Sequence, residues 1–139
     1  MARILVIDDD RNVLATIKLL LEREAHDVVA SPDSRTGLDL FEASSFDLLI
    51  VDIFMPGMDG IETMKLVHQR RPEMPVVVIS GQEFRTASER APDFLLMATR
   101  LGAVSSVQKP FRPRDLLSAV GEALAKARAA SSDSPTPRG

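Results

Sequence analysis

Three runs of four consecutive aliphatic residues constrain this chain most: Ile4-Leu5-Val6-Ile7, Leu48-Leu49-Ile50-Val51 and Val76-Val77-Val78-Ile79. None alternates with polar residues. A strand with one wet face would alternate, so strands of this kind must be covered on both faces. Between them lie longer stretches with helical spacing. Val13, Ile17, Leu20 and Leu21 share one face over residues 11–24, Leu38 and Phe41 follow Asp33 or Ser34 as a cap, and Ile61, Met64 and Val67 run to about Arg71. Val28-Val29-Ala30 is a short additional strand that Pro32 stops, and Val104 to Val107 is a weak fifth. Phe94, Met97, Ala98 and Leu101 form a further helical face that Gly102 can end, and Leu116, Leu117, Val120 and Leu124 form a last one from about Pro113. Five βα units of this kind predict an α/β fold with a doubly wound, five-stranded parallel sheet and right-handed crossovers.

Such a sheet places its site in the crevice at the carboxyl ends of the strands. Asp8, Asp9 and Asp10 follow the first strand and Asp52 ends the third. Ser80 ends the fourth, and Lys109-Pro110 follows the fifth. Carboxylates crowded together cannot all stay ionised without compensation. A divalent cation removes that conflict, and an all-oxygen ligand set suits Mg2+, with Mn2+ as an alternative. One carboxylate can then act as nucleophile toward a phosphoryl group, with the Lys ammonium and Ser hydroxyl on its oxygens. Other phosphate-binding schemes fit poorly. A flavodoxin-type site needs a hydroxyl- and amide-rich loop after the first strand to hold phosphate, which three aspartates there would repel, and no Walker or G-x-G-x-x-G loop follows that strand. A haloacid-dehalogenase-type phosphatase needs an acid two residues after its nucleophile, where this chain has Phe54.

Composition narrows the partners. With no cysteine and two histidines, a disulfide framework and a Cys/His metal site are excluded. That fits a reducing, cytoplasmic setting, and MARILVIDDD has too short an apolar stretch for a signal peptide or a membrane span. Residues 1–83 carry 8 basic against 15 acidic side chains, and residues 84–139 carry 9 against 5. No clustered basic stripe with interleaved aromatics appears, so direct nucleic-acid binding is not expected. His26 and His68 read as packing or surface residues, and Gly57 and Gly60 as backbone geometry in a turn with Asp59.

In order, ILVIDDD, LLIVDIFMPGMDG, VVVIS and VQKPF resemble the receiver domain of two-component response regulators, over residues 2 to about 126. The likeness is to single-domain, CheY-like receivers, and it implies the flavodoxin-like strand order 2-1-3-4-5. By this resemblance Asp52 is the phospho-acceptor, and Asp8 and Asp9 are the acidic pair, Asp9 being the more direct metal ligand. Phe54 offers its backbone carbonyl to the metal. Ser80 and Lys109 bind phosphoryl oxygens, and the Lys109–Pro110 bond is cis. The partner is a sensor histidine kinase or a histidine phosphotransfer protein, with homodimerisation on phosphorylation as one output. Such a domain is a phosphorylation switch that catalyses its own aspartyl phosphorylation and dephosphorylation, and it is not a conventional enzyme.

The departures concern output. Ser106 stands where many receivers carry an aromatic residue that rotates on activation, and residues 81–93 make a longer connection than the family norm. Phe54 and Gln82 occupy positions that tune dephosphorylation in the family, and a bulky Phe54 is expected to slow phosphoryl loss. Asp10 reads as the cap of the first helix. Residues 1–126 suffice for the domain, and 127–139, ending SSDSPTPRG, read as a disordered tail or linker start. Two other readings stay open: a pseudo-receiver that only binds or dimerises, and the receiver half of a longer DNA-binding regulator.

Overall fold

The computed structural model describes residues 2–53, 60–80, 99–100 and 103–133. Five parallel strands form one sheet: β1 (Arg3–Ile7), β2 (Asp27–Ser31), β3 (Leu48–Asp52), β4 (Val76–Ser80) and β5 (Ala103–Gln108). Their spatial order is β2-β1-β3-β4-β5. The helices are α1 (Arg11–Arg23), α2 (Ser34–Ala43), α3 (Gly60–Arg70) and α4 (Pro113–Asp133). The helix expected around 94–101 and the connection 81–93 lie outside the described residues, apart from helical Thr99 and Arg100.

The sheet shows why the aliphatic runs do not alternate. Successive side chains of a strand point to opposite faces. Ile4 and Val6, Leu48 and Ile50, and Val77 and Ile79 enter a core with α1 and α4. Leu5 and Ile7, Leu49 and Val51, and Val76 and Val78 enter a second core with Phe41 of α2 and Ile61, Met64 and Val67 of α3. Both parities are therefore apolar, and full burial of each such side chain contributes about 1.5–3 kcal/mol. β5 differs. Only Val107 of it is fully buried, and its pairing with β4 is irregular between Val76 and Val77.

Two details depart from the periodicity argument. The buried line of α1 is Leu14, Ile17 and Leu21, with Val13 and Leu20 only partly buried beside it. Spacings of three and four select this line as readily as the neighbouring one, and packing against the sheet decides between them. The last helix also continues past Lys126 to Asp133. The segment Ala123–Ala130 is rich in alanine, the strongest helix former, and Pro135 is the first proline after Pro113. Among the described residues, no helix is long and apolar enough to cross a membrane.

Candidate functional site

Strand register assembles the site. β1 and β3 pair with Ile7 opposite Val51, which sets the residues that follow, Asp8 and Asp52, side by side. β4 and β5 pair with Ser80 opposite Gln108, and the Lys109 amide donates to the Ser80 carbonyl at 2.8 Å. The next peptide bond, Lys109–Pro110, is cis. Lys109 thus enters the crevice from the far side of the sheet order, and its Nζ lies 2.9 Å from Asp8 Oδ2 and 3.1 Å from Asp52 Oδ2. A third acid completes the group. Asp8, Asp9 and Asp52 each offer a carboxylate oxygen, all within 4.8 Å of one another.

Burial differs sharply among these side chains. Asp8 is fully buried, Asp52 and Ser80 are nearly so, and Asp9 is exposed. Burial pushes the Asp8 carboxyl above the usual carboxylate range, against the Asp10 amide and Lys109, which pull it down. For Lys109, burial works against the charge, but the hydrogen bonds and charges of Asp8 and Asp52 outweigh it and raise its pKa.

The donor set fits a hard divalent cation. Among the described residues, three carboxylates against one ammonium leave a formal excess of two negative charges. Asp8 Oδ2 is buried and makes no hydrogen bond of acceptable geometry, although Lys109 Nζ is close. A buried carboxylate oxygen left in that state calls for a further positive partner. Two clustered, buried carboxylates and an exposed third offer oxygen ligands with room for retained water, as Mg2+ prefers.

Asp10 does more than the sequence pattern suggests. Its side chain accepts from the Asn12 and Val13 amides as the α1 cap. Its own amide also donates to Asp8 Oδ1 at 2.9 Å, which fixes the orientation of the buried carboxylate. The signal was present in the Asp-x-Asp spacing, since an Asp side chain commonly accepts from the amide two residues on. Ser106 is exposed on β5 and, with Ser105, Gln108, Asp115, Ser118 and Glu122, lines a groove of about 420 Å³ between β5 and α4. Phe54 and Gln82, expected to tune the site, lie outside the described residues.

Comparison with known proteins shows the family and the fold. The family profile described as "Response regulator receiver domain" matches residues 4–121. The chain belongs to the response regulator receiver family. This receiver domain is 30% identical to the alkaline phosphatase synthesis transcriptional regulatory protein PhoP of Bacillus subtilis, over 95% of the chain and 52% of PhoP. It is 36% identical to the transcriptional regulatory protein CpxR of Escherichia coli, over 86% of the chain and 48% of CpxR. The receiver domain therefore spans about half the length of these curated relatives. Among solved structures it resembles a response regulator receiver domain protein of Clostridium thermocellum. The TM-score there is 0.80 at 30% identity, covering 93% of this chain and 98% of that one. Members of this family are signalling domains of two-component systems, and they accept phosphoryl groups from histidine kinases.

Proposed function

We propose that the receiver is a phosphorylation-dependent switch in which Asp52 accepts a phosphoryl group from a phosphohistidine of a sensor histidine kinase or histidine phosphotransfer protein. The observation that carries this reading is the convergence of Lys109 Nζ on both Asp8 and Asp52, with Asp9 beside them, at the carboxyl end of the sheet. Asp8, Asp9 and Asp52, with the backbone carbonyl of Phe54, are the residues that would hold Mg2+ or Mn2+. A divalent cation in that place supplies positive charge against the oxygens of the transferring phosphoryl group.

The chain's own groups perform the rest. An Asp52 carboxylate oxygen forms a bond to phosphorus as the phosphorus–nitrogen bond of the donor breaks. The electron pair of that bond goes to the imidazole, which takes up a proton from solvent. Lys109 and the Ser80 hydroxyl bind phosphoryl oxygens, and Asp8 holds the Lys109 ammonium in the crevice. Loss of the group reverses the change at Asp52: water attacks phosphorus and the carboxylate leaves. Phosphorylation then shifts an existing equilibrium between two conformations, and homodimerisation is one way to read it out. Residues 1–126 are the unit that carries this reaction.

Incubation with Mg2+ and acetyl phosphate, followed by intact mass, tests the proposal. The expected result is gain of one phosphoryl group by the wild type and none by Asp52→Asn. A wild type that gains nothing from acetyl phosphate or from kinase partners would favour the pseudo-receiver.

A further inference from the structure

α3 begins directly against the main chain that carries Asp52. The Gly60 amide donates to the Ile53 carbonyl at 2.8 Å, and Gly60 is buried. A Cβ at position 60 would lie 2.7 Å from Ile53 Cα, 2.8 Å from the Asp52 carbonyl carbon, and closer still to the Asp52 carbonyl oxygen. All three atoms are backbone, so no change of rotamer relieves the overlap. The other described glycines differ. The three atoms nearest a Cβ on Gly37 are side-chain atoms of Ile7 and Ser31, and one on Gly121 meets nothing within 4 Å.

The other side of this backbone is also held. Asp52 pairs with Ile79 of β4, and the Ile53 amide donates to the Ile79 carbonyl at 3.0 Å. The segment Asp52–Ile53 is therefore clamped between β4 and the first residue of α3. A side chain at position 60 must move the Asp52 main chain or lift the start of α3. Lifting α3 strains a second attachment, because Thr63 in its first turn donates to Ser34 of α2 at 2.7 Å in a buried contact.

We propose that Gly60 is a positioning residue for Asp52. Its missing side chain lets α3 seat on the Asp52–Ile53 main chain and so sets the carboxylate at its distance from Lys109. This rests on the reading of Asp52 as phospho-acceptor. In phosphoryl transfer, positioning supplies much of the catalysis, and a displacement of about 1 Å can cost on the order of 100-fold in rate.

The test compares wild type, Gly60→Ala, Gly121→Ala and Asp52→Asn as the full 139-residue chain. Mg2+-dependent phosphorylation by acetyl phosphate is followed by intact mass, and the folded fraction by circular dichroism and urea unfolding. Gly60→Ala is expected to lower the maximal rate per folded molecule by roughly 10- to 100-fold, with the half-saturating acetyl phosphate concentration little changed. Gly121→Ala should stay within about twofold of wild type, as expected where a new methyl meets nothing. A merely structural role would lower the urea midpoint and leave the rate per folded molecule alone, and that outcome overturns the proposal. If Gly60→Ala is unfolded in buffer, the comparison is repeated in trimethylamine N-oxide, which favours compact states. A chain that stays unfolded there places Gly60 in the fold and not in the site, and also overturns it. A wild type that takes no phosphate, or an Asp52→Asn that does, removes the acceptor reading and this proposal with it. A reactive wild type with an equally reactive Gly60→Ala removes this proposal alone.

Discussion

Lys109 and Asp8 stand 101 positions apart in the chain, yet the ammonium nitrogen of one lies 2.9 Å from a carboxylate oxygen of the other. The same ammonium reaches Asp52 at 3.1 Å. One ammonium is thus shared by two buried carboxylates, and Asp8 Oδ2 is left without a hydrogen bond of its own. The consequences are measurable without any partner protein.

Asp8 carries a charge in a fully buried position, and its Oδ2 lacks a hydrogen bond. Neutralising one of several crowded carboxylates removes like-charge repulsion and the cost of holding a charge in a buried place. Asp8→Asn should therefore raise the thermal midpoint in EDTA while weakening Mg2+ binding. Lys109 keeps Asp52 as a partner in that variant. Calorimetry in EDTA checks the first effect and titration with Mg2+ the second. A midpoint that falls by several degrees would contradict it.

Mg2+ should stabilise the wild type, because a ligand that binds only the folded state adds stability by mass action, about 2.7 kcal/mol at a hundred times its dissociation constant. EDTA should reverse the shift. Asp9→Asn should shrink it with little change in metal-free stability, since Asp9 is exposed. Urea unfolding with and without Mg2+ measures both, and an undiminished shift in Asp9→Asn would remove Asp9 from the ligand set.

His26 predicts a pH effect far from the site. Its Nδ1 accepts from the Ala2 amide at 3.1 Å, and burial first, then nearby positive charge including Arg128, holds its pKa below the ordinary 6.5, against the pull of Glu24. The folded state therefore disfavours the protonated ring. The stability tied to the neutral ring is present above pH 6.5 and is lost as pH falls through the lowered pKa of the folded state. His26→Gln should flatten the pH dependence of the urea midpoint below pH 6.5, and a slope identical to wild type would rule the residue out.

Thr63→Val removes the hydroxyl that donates to Ser34 across the α2–α3 seam while keeping the side chain's shape. Both groups are buried, so the expected loss of stability is about 1 kcal/mol, the usual worth of such a hydrogen bond. Urea unfolding at constant m-value reads it. No change at all would mean that the Ser34 hydroxyl finds an equivalent partner without Thr63, and would rule out the bond as a source of stability.

Much of the molecule was legible in the chain itself, for reasons that particular residues make plain. Ile4–Ile7, Leu48–Val51 and Val76–Ile79 are apolar at both parities because each strand is covered on both faces, and that requirement acts locally on every residue. Asp8, Asp9, Asp52, Ser80 and Lys109 could be placed at strand ends because a parallel α/β sheet sends all its strand ends to one edge. Asp10 and Asp33 were readable as caps because a cap bonds amides two or three residues away.

Tertiary structure decided what local pattern cannot carry. That Asp8 is fully buried and Asp9 exposed depends on how the β1–α1 turn meets β3 and Lys109, since both are aspartates after the same strand. The choice of Leu14 over Val13 as the buried residue of α1, the continuation of α4 to Asp133, and the seating of Gly60 on the Asp52 carbonyl likewise emerge only when elements pack. The physical reason is common to all of them. Periodicity reports whether a residue is covered, but distances between residues tens of positions apart follow from strand register. Register is settled by the summed packing of both cores.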